Sequence, residues 1–128
     1  MADPTTVEIA FTRDRGFEAA NGRTRLAVHG ERQPDSWMPT ELFLSGLGSC
    51  MLATLVHVAA FRQTTVDAAL IRVTGQTVTR PTRFGSIHVA YHLPDGLPAA
   101  EVDALIRAAG RCKVHNTLTS APMIEVMG

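Results

Sequence analysis

Charge of either sign is scarce and evenly balanced in this chain of 128 residues. Twelve basic residues offset twelve acidic ones, and charged residues make up 19% of the sequence. Without an excess of charge, the surface has no long-range field that would attract nucleic acid, anionic lipid or a polyanionic substrate. We therefore expect neither a nucleic-acid partner nor a membrane partner.

Targeting signals are also lacking. The first fifteen residues contain no basic segment followed by an apolar one, which is the pattern of a secretory signal. We find no stretch that approaches the roughly 18 apolar residues of a membrane span. The expected location is the cytoplasm.

Repeats, linkers and low-complexity segments are absent from the sequence. A hydrophobic content of 45% is enough for a chain of this length to close one modest core without a metal or a disulfide scaffold. We expect a single domain that covers residues 1–128.

Cysteine occurs only twice, at Cys50 and Cys112. In a reducing compartment a structural disulfide rarely persists, so each cysteine is either an inert buried thiol or a chemical group. Cys50 lies too far into a predicted helix for the helix dipole to lower its pKa, so its activation would need a cation. Cys112 stands between Arg111 and Lys113, which are surroundings that favour a thiolate.

Metal-binding patterns are weak. Cys112 and His115 have half of a zinc-ligand spacing, but no second Cys or His cluster accompanies them. The other histidines are scattered over different predicted elements: His29, His57, His88 and His92. We expect no metal and no organic cofactor.

The first half of the chain predicts strands followed by a long helix. Residues 7–12 and 23–29 have strand patterns, and Asn21-Gly22 suits a hairpin turn. A helix is expected to begin at Pro39 and to run to about Phe61. Since this segment is apolar nearly all round, it should be buried on most of its faces. Its cluster of small residues indicates the close approach of a second helix: Ser45, Gly46, Gly48 and Ser49.

The second half predicts two strands, a helix and a final strand. Residues 65–80 and 84–93 have strand patterns, with a turn at 81–83 between them. A helix should begin at Pro98 and break at Gly110, and residues 123–127 should form a last strand. Strands and helices in this order indicate the α+β class.

Two segments carry a resemblance to a known family. The run from Pro39 to Cys50, PTELFLSGLGSC, resembles the Pro-x-Glu-x-Leu helix of the OsmC/Ohr family, which is rich in small residues and bears a cysteine. The run from Cys112 to Leu118, CKVHNTL, looks like that family's second cysteine motif, usually Cys-Pro-Val followed by a polar residue. The resemblance covers nearly the whole chain.

The resemblance implies a fold, a partner and a chemistry. The fold is α+β, with antiparallel sheets wrapped around long central helices in an intertwined homodimer. In the implied reaction, the Cys50 thiolate attacks the O–O bond of an organic hydroperoxide, releases an alcohol and becomes a sulfenic acid. Cys112 then condenses with it to a disulfide, which an external thiol or dithiol reduces. The implied activity is that of a thiol-dependent peroxidase that protects against oxidative stress.

The family also places an arginine from the first hairpin over the reactive sulfur, and Arg13 is our candidate, with Arg15 the alternative. Typical members hold this arginine with a glutamate directly after the motif proline, where this chain has Thr40. Glu41 either takes that part or only favours the helix N-terminus by its charge. Lys113 also replaces the usual proline of the second motif.

Two other functions remain open at this point. The departure at Thr40 is compatible with a non-enzymatic or slow redox sensor, or a small-molecule-binding protein, that uses the same fold. A structural dimerisation module with inert thiols is the other alternative.

Overall fold

The computed structural model describes residues 4–128, which form five strands and three helices. The chain begins with strands β1 (Glu8–Thr12), β2 (Gly16–Ala20) and β3 (Arg25–Val28), followed by helix α1 (Pro39–Phe61). Strands β4 (Leu70–Val78) and β5 (Arg83–His92) come next, and helices α2 (Ala99–Ala109) and α3 (Lys113–Thr119) end the order. The α+β class is confirmed. The chain has two compact units, one up to Phe43 and one from Leu44 to Gly128.

The first unit contains an antiparallel sheet with the strand order β1-β2-β3. Its second hairpin is closed by Asn21, whose side-chain oxygen accepts hydrogen bonds from the N–H groups of Arg23 (2.9 Å) and Thr24 (3.0 Å). Gly22 has φ +88°, a left-handed conformation that favours glycine. The predicted turn is therefore confirmed. Strand β2 was not predicted, because GFEAA contains no β-branched residue and little alternation.

Helix α1 has the bounds that the sequence predicts. Pro39 occupies the first helical position, where its missing N–H costs no helical hydrogen bond. The carboxylate of Glu41 accepts a hydrogen bond from the Met38 N–H at 2.8 Å, so it satisfies a donor that the helix leaves unpaired. The N-terminus of α1 is thus fixed by its own sequence.

One stripe of α1 is buried, not most of the helix surface as the composition suggests. The buried large side chains are Leu47, Met51 and Leu55, which follow each other at intervals of four residues, as does Ala59. Val56, on another face, is 46% exposed. The expectation was wrong for the single chain because protein atoms cover the helix on one side only.

Helix α1 is also long and apolar enough to cross a membrane, judged by length and composition alone. Its most apolar window has a mean hydropathy of 1.8, so the expectation that no stretch approaches this length was wrong. The core helix of a folded domain passes the same test, and α1 supplies much of the core of the second unit.

Strands β4 and β5 form an antiparallel ladder that packs on the buried stripe of α1. The ladder runs from Leu70 opposite His92 to Val78 opposite Arg83. The inward side chains alternate along both strands, as predicted for β5, and they border the core with Leu105 of α2. These inward residues are Ile71, Val73, Ile87, Val89 and Tyr91.

The small residues of α1 admit a strand, not the second helix that we expected. A Cβ atom added at Gly48 would lie 2.8 Å from Cγ2 of Val73 on β4, which is closer than real contacts allow. At Gly46 an added Cβ would meet no atom within 4 Å. Of these two glycines, Gly48 is the one at which a neighbouring strand approaches the helix backbone closely.

An ion pair joins the end of α1 to the first turn of α2. The Arg62 guanidinium donates to both carboxylate oxygens of Glu101, with Nε–Oε1 at 2.6 Å and Nη2–Oε2 at 2.9 Å. The Thr64 hydroxyl donates to the same carboxylate at 2.9 Å. Helix α2 follows Pro98 and ends at Gly110, as predicted.

The end of the chain differs from the prediction in two ways. Residues 113–119 form helix α3, which the polar sequence did not indicate. Residues 123–127 form no strand, and their apolar side chains are 82–90% exposed. A strand needs a neighbour for its backbone groups, and within residues 4–128 this segment pairs with none.

Candidate thiol site

The fold brings Cys50 and Cys112 together. Cys50 lies in α1 and is partly buried, whereas Cys112 lies between α2 and α3 and is 3% exposed. Both are free thiols. Cys112 belongs to the core cluster and Cys50 packs against that cluster, and each thiol is near enough to affect the pKa of the other. Two sulfurs that are remote along the sequence therefore share one site.

The turn after α2 positions Cys112. Gly110 ends α2, and Cys112 takes an extended conformation (φ −72°, ψ 156°) as the N-cap of α3. Its sulfur accepts a hydrogen bond from the His115 N–H at 3.3 Å. Cys112 thus starts a helix whose first N–H groups face the thiol site.

Helix α3 changes the acidity of Cys50. Burial raises the pKa of this thiol, but hydrogen-bond donors and a positive charge from residues 112–114 outweigh burial and hold the pKa below the ordinary value. The donors are the N–H of Val114, the Cys112 thiol and the N–H of Lys113, and the Lys113 ammonium adds its positive charge. Cys50 is therefore the better thiolate of the two.

Cys112 shifts in the opposite direction. Burial raises the pKa of Cys112, and so do the hydrogen bond to Cys50 and the charge of the Cys50 thiolate. The N–H groups of His115 and Val114 oppose these effects without reversing them. The pair is thus suited to hold one anionic sulfur at Cys50 and one proton on Cys112.

Two buried polar atoms near Cys112 have no hydrogen-bond partner among residues 4–128. They are the Tyr91 hydroxyl oxygen and Nδ1 of His115. Burial raises the pKa of Tyr91, and the negative charge of a Cys112 thiolate raises it further. Cys112 therefore lies near polar groups as well as in the apolar core.

The other predicted site residues lie in the first unit. Arg13 and Arg15 are exposed in the turn between β1 and β2, and among residues 4–128 neither forms an ion pair. The Glu41 carboxylate serves the N-terminus of α1 through the Met38 N–H, which is the second of the two roles considered for it. A role for Arg13, Arg15 or Glu41 at the Cys50 sulfur stays a prediction.

Sequence reasoning missed the groups that act on Cys50. Lys113 was assigned to the surroundings of Cys112, yet its N–H and its charge both act on Cys50. A signal was present, since Lys113 is the single lysine among twelve basic residues and directly follows a cysteine. Tyr91 carries no signal beyond its place on the inward face of β5.

Residues 4–128 contain no group of three or more His, Cys, Asp or Glu side chains that could hold a metal ion. Cys112 and His115 are linked through a backbone N–H instead. The site consists of thiols, peptide N–H groups and one ammonium.

Solved structures share this fold. An OsmC-like protein from Mycoplasma pneumoniae matches with a TM-score of 0.82 and 25% identity, over 94% of this chain and 91% of that one. An organic hydroperoxide resistance protein OsmC from Legionella pneumophila matches with a TM-score of 0.67 and 21% identity, over 92% of this chain and 90% of that one. The second likeness concerns the fold alone.

Curated relatives cover less of the chain. A hydroperoxide reductase from Mycoplasma genitalium is 37% identical over 62% of this chain, and the match spans 60% of that protein's own length. A hydroperoxide reductase from Mycoplasma pneumoniae is 33% identical over 69% of this chain and 66% of its own length. The family model described as OsmC-like protein matches residues 29–127, a region that includes both cysteines. On this evidence the chain belongs to the OsmC-like family.

Proposed function

We propose that the protein is a thiol-dependent peroxidase that reduces organic hydroperoxides at Cys50. The observation that carries this proposal is that one cluster holds two thiols whose pKa values shift in opposite directions, downward for Cys50 and upward for Cys112. Paired groups whose acidities are pushed apart are typical of catalytic sites. The names of the two Mycoplasma relatives support the same activity.

In the first step the Cys50 thiolate attacks the terminal oxygen of the hydroperoxide. The O–O bond breaks, Cys50 becomes a sulfenic acid, and the alkoxide takes a proton from water and leaves as an alcohol. The N–H groups of Lys113 and Val114 hold the thiolate before the attack. Although burial raises the pKa of Cys50, these N–H groups lower it and so favour the thiolate that makes the attack.

In the second step Cys112 resolves the sulfenic acid. Its sulfur attacks the Cys50 sulfur, a disulfide forms, and the hydroxyl of the sulfenic acid leaves as water with the Cys112 proton. Cys50 packs against the core cluster that contains Cys112, so the two thiols start the step in one site. An external dithiol then reduces the disulfide by exchange and restores both thiols.

Further parts of the proposal come from the family resemblance. The Arg13 guanidinium would add positive charge over Cys50, with Glu41 as its holding residue. A second copy of the chain would complete a homodimer, which suits the exposed apolar side chains of each unit, such as Phe11 and Val56. A cytoplasmic location would supply the thiol reductants.

The test is turnover of tert-butyl hydroperoxide with dithiothreitol as reductant. We expect Cys50→Ser to abolish turnover, because the nucleophile is lost. We expect Cys112→Ser to retain one oxidation of Cys50 per chain but to slow reduction and to favour overoxidation. Equal rates for the wild type and Cys50→Ser would end the proposal.

A slow redox sensor is the second candidate. It is favoured by the role of Glu41, whose carboxylate is engaged by the Met38 N–H, and by Thr40 at the place of the usual glutamate. Stopped-flow oxidation of reduced protein by one equivalent of hydroperoxide separates the two. Oxidation of Cys50 at the rate of a free thiol would argue against the enzyme, and oxidation orders of magnitude faster would argue against the sensor.

A further inference from the structure

Tyr91 carries a buried hydroxyl for which the fold shows no use. Its ring lies on the inward face of β5 and packs against the core cluster that contains Cys112. Among residues 4–128 the hydroxyl oxygen has no hydrogen-bond partner, although it is buried. Most buried hydroxyls have a partner, because burial without one costs stability. Phenylalanine would keep the ring and avoid that cost, so the hydroxyl needs an explanation other than packing.

The nearby Cys112 sulfur is poorly placed to carry a charge. Cys112 is 3% exposed, so water solvates its thiolate little. The His115 N–H donates to the sulfur at 3.3 Å. Burial and the neighbouring Cys50 nevertheless raise the pKa of Cys112. A thiolate that forms there in the second step of the proposed reaction therefore gains from a further donor.

Tyr91 can supply that donor from its side chain. The titratable and charged side chains around Cys112 are Cys50 of α1, Tyr91 of β5, His115 of α3, and the exposed flanking Arg111 and Lys113. A neutral phenol donates one O–H bond. The negative charge of a Cys112 thiolate raises the pKa of Tyr91, so the phenol keeps its proton beside that charge.

We propose that the Tyr91 hydroxyl is the side-chain donor for the Cys112 thiolate when Cys112 resolves the oxidised Cys50. The hydroxyl has no acceptor while Cys112 is protonated, and it donates to the sulfur once Cys112 has released its proton to solvent. The sulfur then attacks Cys50, the S–S bond forms, the S–O bond of the sulfenic acid breaks, and the hydroxide takes a proton from solvent and leaves as water. The role in turnover rests on the proposed peroxidase function, whereas the effect on Cys112 can be measured without a peroxide.

The experiment uses a dipyridyl disulfide, which reacts with the two thiols in turn in the reduced full-length protein. The Cys50 thiolate attacks the reagent and releases one thiopyridine, and Cys112 then attacks the mixed disulfide on Cys50 and releases a second. The rate of the second release, followed by absorbance as a function of pH, measures the reactivity of Cys112. Tyr91→Phe removes the hydroxyl alone, and Ser86→Ala removes an exposed hydroxyl of the same strand as the matched control.

We expect Tyr91→Phe to leave the first release unchanged and to slow the second by about tenfold at pH 7, because a hydrogen bond to a charged sulfur is lost. The midpoint of the pH profile of the second release should move to higher pH. The free energy of unfolding should equal that of the wild type or exceed it, since the folded state loses no hydrogen bond. Ser86→Ala should follow the wild type in every measurement.

A second measurement needs no substitution, because Tyr91 is the single tyrosine of the sequence. Alkaline titration of the tyrosine absorbance should give a higher midpoint in the reduced protein than in the disulfide form, where no Cys112 thiolate acts on the hydroxyl. Coincident midpoints would overturn the inference even if Tyr91→Phe failed to fold.

An unchanged second release in Tyr91→Phe would also overturn the inference. So would a slower release that comes with a lower free energy of unfolding and an unshifted pH profile, since the hydroxyl would then support the fold, for example through a bond to Nδ1 of His115. Hydroperoxide turnover by the same proteins separates the two proposals. A slower second release without wild-type turnover would leave Tyr91 in its role and remove the peroxidase, and turnover with an unchanged second release would do the reverse.

Discussion

At the scale of single residues, the main feature is the difference between two thiols that share one site. Cys50 is partly buried and its pKa is lowered, whereas Cys112 is buried in the core and its pKa is raised. Burial disfavours a charged thiolate at both sites, and donors overcome it only at Cys50. The proposed roles of nucleophile for Cys50 and resolving thiol for Cys112 rest on this difference.

The difference predicts a pH dependence. Because the pKa of Cys50 is lowered and that of Cys112 is raised, Cys50 should form its thiolate at lower pH. We expect iodoacetamide to label Cys50 faster than Cys112 at pH 7, by about tenfold or more. The ratio of the two labelling rates should decrease only in alkaline solution, where both thiols are deprotonated. Labelling under denaturing conditions is the control, where both thiols should react alike. Faster labelling of Cys112 in the folded protein would contradict the assignment.

The sequence predicted these residues only in part. The resemblance paired Cys50 with Cys112, and the fold brings them together. The effects of Lys113 and Tyr91 on the thiols were not predicted. They depend on how α3 and β5 pack near the two cysteines, and no local sequence pattern encodes that packing. Two roles were considered for Glu41: to hold the arginine or to favour the helix N-terminus. The hydrogen bond that its carboxylate accepts from the Met38 N–H fits the second role.

At the scale of elements, α1 is held against β4 at Gly48. Adding a methyl group there would press on Val73, whose branched side chain has few rotamers, whereas Gly46 faces open space in the single chain. Both Gly→Ala changes gain the same helix propensity, so their difference isolates the contact. We expect Gly48→Ala to be less stable than Gly46→Ala by about 1–3 kcal/mol in urea unfolding. Equal stability of the two variants would show that Val73 can move away from an added methyl group without a loss in the free energy of unfolding.

The contact between α1 and α2 gives a second prediction at this scale. The hydrogen bonds from Arg62 and Thr64 lower the pKa of Glu101 from 4.5 to about 2. Because the pKa of Glu101 is lower in the folded protein than in the unfolded chain, its carboxylate stabilises the fold at a pH above about 4.5. This contribution to stability is lost as the pH falls from about 4.5 toward 2. We expect Arg62→Met to lower the Tm by a few degrees at pH 7 and to match the wild type near pH 2.

The control for this prediction is Arg107→Met, which removes an arginine of α2 that forms no ion pair among residues 4–128. Its Tm should follow the wild type at every pH. A deficit in Arg62→Met that is the same at pH 2 and pH 7 would mean that packing, not the ion pair, supports this junction.

The helices that were predicted correctly are those whose ends are marked by local sequence signals such as proline and glycine. Pro39 and the uniform apolar run gave both ends of α1, and Pro98 with Gly110 gave those of α2. Helix α3 was missed because it starts from a cysteine N-cap, which helix-start patterns do not include. The strand predicted at 123–127 failed because a strand depends on a partner that a single segment cannot reveal.

At the scale of the whole molecule, each unit leaves apolar surface open. Large apolar side chains are exposed on β1, on α1 and in the last residues of the chain, and among them are Ile9, Phe61 and Ile124. Isolated exposed apolar residues are ordinary, but groups of them mark surfaces that another molecule covers. The proposed homodimer would give these surfaces a partner.

A homodimer makes stability depend on concentration. We expect the Tm to rise as the protein concentration increases, because association stabilises the folded state by mass action. Light scattering coupled to gel filtration should give twice the chain mass of 13.8 kDa. A single-chain mass together with a constant Tm would contradict the proposed assembly.

The sulfur of Cys112 has a structural task besides its chemical one, because it caps α3 through the His115 N–H. A bond to Cys50 would engage that same atom and make it a poorer acceptor, so disulfide formation would weaken the cap and loosen the first turn of α3. Hydrogen exchange at the His115 amide should then be faster in the oxidised protein than in the reduced one. The oxidation state of the two thiols would therefore determine how well ordered helix α3 is.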